Sequence, residues 1–211
     1  MMDWMRYTLE DFQTALESPS PTPGGGTASA VALGQASALT IMVCNLTLGK
    51  DKWISGWDAA ERANLEAKQV MSITGDLANR DSQSFDAVMK SFRLPKESES
   101  EREIRKKKIV EATLYAAEVP FETAKHAVEL LRTMPELAKH GNGNAVSDIG
   151  VASLLASAAC KGAIFNVDIN LGSISDEEIG FNMRNLTPKI LEECSILSRE
   201  IMQIVRDRIN S

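Results

Sequence analysis

Apolar and small residues recur at spacings of three and four along most of this chain, and no segment shows the strict alternation of a half-buried strand. Thr8-Leu-Glu-Asp11 has the pattern of a capped start and predicts a short helix that stops before Pro19. A second helix is expected from a Thr27 cap to Leu48, followed by a turn over Gly49 to Gly56. A long helix is predicted from Asp58 to Phe92, with Val70, Leu77 and Phe85 on its apolar stripe, and Pro95 lies beyond its end. Ser98-Glu-Ser-Glu101 reads as a capping box opening a helix that turns apolar from Ile109 to Leu131 and kinks at Pro120. Pro135 is expected to start a further short helix that Gly141 stops. Another helix should run from Ile149 to about Phe165, and a last one should follow a capping box at Ser175-Asp-Glu-Glu178, bending at Pro188. With 211 residues and no repeat or linker, the pattern predicts an all-α fold, a single-domain helical bundle of long, partly kinked antiparallel helices.

Two of these helices lack bulk. Ala28 to Ala38 and Ile149 to Ala163 are dominated by Ala, Ser and Gly, which lets neighbouring backbones approach closely. They are expected to pack on each other, and the surplus of small-residue surface predicts a homodimer. Small residues at four-residue spacing also mark membrane helices. Gln35, Cys44, Asn45 and the leucine-poor content argue instead for a buried helix in a soluble protein, with no membrane partner.

Charge narrows the partners. A net charge of −6 argues against nucleic acid, and the basic cluster Arg102 to Lys108 is interleaved with Glu101 and Glu103 as a solvated helix face would be. Met1 to Phe12 contains acids and no apolar core, so it is not a signal peptide, and a cytoplasmic location is expected. Cys44, Cys160 and Cys194 are far apart in helical patterns, as reduced core thiols would be. His126 and His140 have no ligand-spaced partners, so no metal is expected.

Candidate chemistry gathers at a few places. Three prolines from Pro19 to Pro23 lead into Gly24, Gly25, Gly26 and Thr27, and a glycine-lined helix start leaves amides and a positive dipole end open to an anion or carbonyl. The same glycines also suit a plain corner. Asp81 lies four residues from Phe85, on or beside the apolar stripe, where a carboxylate is costly without a partner. Periodicity alone favours a solvated surface acid there. Asn142, Asn144, Ser147 and Asp148 make a polar junction before a long apolar helix, with capping the simpler role for Asp148. Asn166 and Asn170 are amides that would suit a flat heterocycle.

Pro21-Thr-Pro-Gly-Gly-Gly-Thr27, Asn45-Leu-Thr-Leu-Gly-Lys50, Asp81-Ser-Gln-Ser-Phe85, Leu94-Pro-Lys96, Val119-Pro120, Gly141-Asn-Gly-Asn-Ala-Val-Ser-Asp148 and Phe165-Asn-Val-Asp-Ile-Asn-Leu171 occur in one order along nearly the whole chain. Together they resemble the cyclodeaminase domain of formiminotransferase-cyclodeaminase and its free-standing methenyltetrahydrofolate cyclohydrolase relatives. Thr27 stands where serine is common and keeps the hydroxyl. The resemblance implies an all-helical homodimer with its pocket near the glycine-rich helix start. It also implies a tetrahydrofolate derivative as substrate and Asp81 as the catalytic residue. The family's formiminotransferase half has no counterpart in this sequence, so cyclohydrolase and cyclodeaminase activity both stay open. Gly24 to Thr27, with the asparagine and serine side chains, are then expected to fix the substrate, and Lys50 to meet its glutamate tail or stay solvated.

Overall fold

A computed structural model describes residues 3–211, and within them every regular element is helical. After a 3-10 turn at Trp4–Arg6 come α1 (Leu9–Glu17), α2 (Gly25–Thr47), a 3-10 turn at Asp51–Gly56, α3 (Trp57–Phe92) and α4 (Glu99–His140). A 3-10 turn at Gly143–Ala145 leads to α5 (Val146–Gly172), and α6 is Phe181–Ile209. Helices α2, α3, α4 and α5 pack in sequence order as an up-and-down ring that α2 and α5 close, and α6 lies against α4 and α5. The core between them is built from Leu33, Leu130, Leu131, Met134, Ile149 and Ile164 with many alanines.

Small residues sit where the helices come closest. A methyl on Gly34 would meet Thr74 Oγ1 at 3.0 Å, and one on Gly162 would press on Ser29 Oγ, so α3 and α5 both pack tightly on α2. Four of the buried hydroxyls of α2 are satisfied inside it. Ser29, Ser37, Thr40 and Thr47 each donate to the carbonyl four residues back, at 2.7 to 2.9 Å.

Several boundaries differ from the sequence reading. Pro135 lies inside the continuous α4, as Pro120 does. Leu131, Met134, Leu137 and Ala138 are all buried on its inner face, and this packing outweighs the backbone hydrogen bond that proline cannot donate. Helix α6 does not start at Ser175, because Asp176 to Gly180 form turns and Gly180 takes a left-handed conformation (φ 75°) before Phe181. Gly24, not Thr27, is the N-cap residue of α2, and Thr27 is already within its first turn. Helix α5 starts at Val146 with Ala145 as its cap, so Asp148 sits in the first turn and does not cap it. Thr8 does cap α1, and Ser98 and Glu101 form the full capping box of α4.

Candidate active site

Helix α2 begins with three glycines and a cap residue that has no side chain, so its first amides have no local acceptor. A carboxylate of α3 stands over them. The Asp81 carboxylate lies directly on Gly26, where a β-carbon would overlap Oδ1 and stand 2.7 Å from Cγ. Only glycine at position 26 lets the acid come this close. Thr27, one residue on, donates its hydroxyl to Asp81 Oδ2 at 2.8 Å. Burial raises the Asp81 pKa above the usual carboxylate value, and the Thr27 hydroxyl and amide pull it back down. Asp81 therefore sits against the open start of α2, tied to it through the Thr27 hydroxyl, with an elevated proton affinity.

The acid opens onto a cavity of about 140 Å³ at the end of the bundle where α2 starts and α5 finishes. Pro21, Thr22 and Gly24 to Gly26 form one wall, Asp81, Ser84 and Phe85 of α3 a second, and Ala116 with Asn166 and Asn170 the rest. Asn166 Nδ2 donates to Gly162 O at 2.9 Å, and Asn170 Nδ2 donates to Ala116 O and Asn166 O at 2.9 and 2.8 Å. Both N–H groups of Asn170 are spent on backbone, so it offers a ligand only its side-chain oxygen, whereas Asn166 has one N–H bonded and keeps a second beside its oxygen. Asn166 can therefore present a paired donor and acceptor, and Asn170 an acceptor alone.

Behind the acid lies a chain of hydroxyls. Ser82 Oγ is 3.0 Å from Thr27 Oγ1 and accepts from Trp4 Nε1 at 2.9 Å. Trp4 is buried and packs against Tyr7 and Phe12, while its backbone N–H donates to Asn79 Oδ1.

The structure thus brings together Gly24, Gly25, Gly26, Thr27, Asp81, Asn166 and Asn170. It does not bring Lys50, Asn142, Asn144, Ser147 or Asp148 to them. These lie at the other end of α2, a 23-residue helix about 33 Å long. Asn142 N–H donates to Thr47 Oγ1 at 3.0 Å and its Nδ2 to Leu46 O at 2.8 Å, while its Oδ1 accepts from Asn144 N–H at 2.9 Å. Ser147 and Lys50 are exposed, and Asp148 is half-buried. The four-residue spacing places Phe85 beside Asp81, whereas Ser82 and Ser84 enter only as letters of a motif. Trp4 and Ala116 carry no such signal.

Among the described residues no cluster of three or more His, Cys, Asp or Glu is arranged to hold a metal ion.

The profile of the formiminotransferase-cyclodeaminase family matches residues 8–187. The chain belongs to this family. A methenyltetrahydrofolate cyclohydrolase of Methylorubrum extorquens is 35% identical over 205 residues, covering 96% of this chain and 98% of that protein. The formimidoyltransferase-cyclodeaminase of Gallus gallus is 30% identical over 200 residues, 95% of this chain but 37% of the longer protein. The crystal structure of a formiminotetrahydrofolate cyclodeaminase from Thermotoga maritima superposes with a TM-score of 0.79 at 30% identity, covering 98% of this chain and 97% of that one. Trp4 falls outside the span matched by the family profile.

Proposed function

We propose that this family member is an enzyme acting on the one-carbon bridge between N5 and N10 of tetrahydrofolate, with hydrolysis of 5,10-methenyltetrahydrofolate to 10-formyltetrahydrofolate as its first reaction. The observation that carries this reading is the half-buried Asp81 carboxylate, held by Thr27 at the wall of a pocket with amide acceptors and no other charged lining group. The methenyl bridge is cationic, so a carboxylate of raised proton affinity both complements it and takes a proton from the attacking water. Water adds to the bridging carbon and gives one proton to Asp81. The C–N5 bond then breaks as N5 receives that proton, and loss of the hydroxyl proton leaves the formyl group on N10. Asn166 and Asn170 would accept from ring N–H groups of the pterin.

Cyclodeamination is the second reading, favoured by the similarity to the Thermotoga maritima protein. There N10 adds to the formimino carbon, its proton passes through Asp81 to the leaving nitrogen, and ammonia departs. The two readings separate in one spectrophotometric assay. Loss of methenyl absorbance from added 5,10-methenyltetrahydrofolate supports hydrolysis, and its growth from 5-formiminotetrahydrofolate supports cyclodeamination. A well-folded protein inert to both would overturn the enzyme reading and leave a folate-binding or scaffold dimer.

The outer faces of α2 and α5 expose Met42, Leu46, Val151, Leu154, Phe165 and Ile169. Both helices are long and apolar enough to cross a membrane, with 56% of each such window buried inside the bundle. We assign this face to pairing with a second copy and the protein to the cytoplasm, where reduced folates circulate. Light scattering should give twice the chain mass at micromolar concentration, and a monomer there would refute the pairing.

A further inference from the structure

We propose that Trp4, acting through Ser82 and Thr27, fixes the polarity of a hydroxyl relay that keeps Asp81 Oδ2 a permanent acceptor and leaves proton exchange to Oδ1. The inference rests on the reading of Asp81 as the proton carrier and adds a positioning role for the N-terminal turn.

The argument is one of donor counting. An indole N–H donates and never accepts, so Trp4 Nε1 occupies a lone pair of Ser82 Oγ, at 2.9 Å in a buried setting. Thr27 has one hydroxyl proton, and it is spent on Asp81 Oδ2 at 2.8 Å. The 3.0 Å contact between the two hydroxyls must then run from Ser82 to Thr27. Every donor in the chain points toward the carboxylate.

Placing a proton on Oδ2 would reverse this order. Thr27 would have to donate to the second lone pair of Ser82, beside Trp4 Nε1, and with that side closed by the indole the Ser82 proton would lose its acceptor. Stranding a buried donor costs about 1–3 kcal/mol. A proton on Oδ1 disturbs nothing in the relay. Without the indole N–H the Ser82 proton can turn to the vacated side, where a water taking the indole's place accepts it, and the chain is free to reverse and to stabilise the neutral acid at Oδ2.

Other charged groups do not supply this control. Asp3 is engaged by Arg6 and Asn79, and Arg80 by Asp76 and Glu122. Asp86 and Asp168 are exposed and outside the cavity lining. The walls that α2, α4 and α5 present to the acid are Gly24 to Gly26, Ala116, Asn166 and Asn170.

The test is a titration of the Asp81 carboxyl carbon by NMR in protein labelled at aspartate, which needs no turnover. Trp4→Phe keeps an aromatic ring beside Tyr7 and Phe12 but removes the donor. Its carboxyl midpoint should move up by about 0.5–1 pH unit relative to wild type. Thr27→Val should move it further, and Thr27→Ser, which keeps the hydroxyl, should stay near wild type. If Trp4→Phe fails to fold, Ser82→Ala breaks the same link from within α3 and should give the same upward shift. A folded Trp4→Phe or Ser82→Ala protein with an unmoved midpoint would overturn the relay and leave Trp4 a packing residue. In the active enzyme the acid limb of the rate profile should follow the NMR midpoint. A shifted midpoint with an unmoved rate profile would uphold the relay and count against Asp81 as the proton carrier.

Discussion

The two ends of the α2/α5 pair look alike in sequence, both rich in Gly and Asn and both bearing aspartates, yet they use their polar atoms in opposite ways. At the far end those atoms join backbone to backbone. Asn142 bonds Leu46 and Thr47 of α2, and Arg208 donates to the carbonyls of Ala138 and Gly141 at 2.6 and 3.0 Å. At the near end a carboxylate is held against burial, and two amide oxygens open into a cavity. A polar junction thus becomes a candidate for chemistry when its groups converge on one cavity around a buried carboxylate, not because it is polar.

The sharpest way to break this contrast is to neutralise each aspartate in turn. Asp81→Asn should lower turnover of the methenyl substrate by about 10²–10⁴ through loss of a positioned acid–base group. Asp148→Asn should change it less than about twofold, since it perturbs only the first turn of α5. Equal losses in steady-state assays would erase the distinction between the ends.

Gly26→Ala should come next. Its methyl cannot share space with the Asp81 carboxylate, so it should displace that group and cost about 1–3 kcal/mol of stability, read from the urea midpoint, together with most activity. An alanine variant with wild-type rate and midpoint would show that the acid need not lie on the helix start.

Asn142→Ala and Asn166→Ala should part in kind. The far-end change should destabilise the fold by about 0.5–2 kcal/mol, as loss of a capping side chain does, and leave KM alone. The near-end change should raise KM by about tenfold, one lost hydrogen bond to substrate.

The smallest effect is on pH-dependent stability. Because burial raises the Asp81 pKa, folding favours its neutral form. Its stabilising contribution is complete below the ordinary Asp value of about 3.9 and is lost as pH rises through the raised folded value. Asparagine stays neutral throughout. The Asp81→Asn protein should therefore gain stability relative to wild type between about pH 3 and pH 7, with a slope visible in denaturant midpoints. A flat difference would mean that the carboxylate is fully compensated by Thr27.

The long helices were legible because their periodicity records burial directly, and the small-residue stretches of α2 and α5 do mark close helix contacts. Local signals failed where packing opposed them. Pro135 suggests a start but is carried through by buried neighbours on both sides, and Ser175 to Glu178 has the letters of a capping box but folds as a turn. Asp81 stood out as a possible misfit on its helix, whereas its contact with Gly26 spans 55 positions and leaves no spacing to read. The same holds for Trp4, 78 residues from Ser82. Lys50 and Asn142 to Asp148 were grouped with the pocket because nothing local says which end of a helix a polar loop will meet.

Helix α2 does not own the group that finishes it. A glycine cap followed by two glycines makes the first turn intrinsically weak, and the carboxylate that anchors it through the Thr27 hydroxyl is carried by α3. The turn can therefore persist only while α2 and α3 are docked, and its amide protons should exchange with the opening of that docking rather than by simple end fraying. The residues nearest the chemistry are thus placed by long-range assembly, so the pocket is completed late in folding and its integrity reports on the cohesion of the whole bundle.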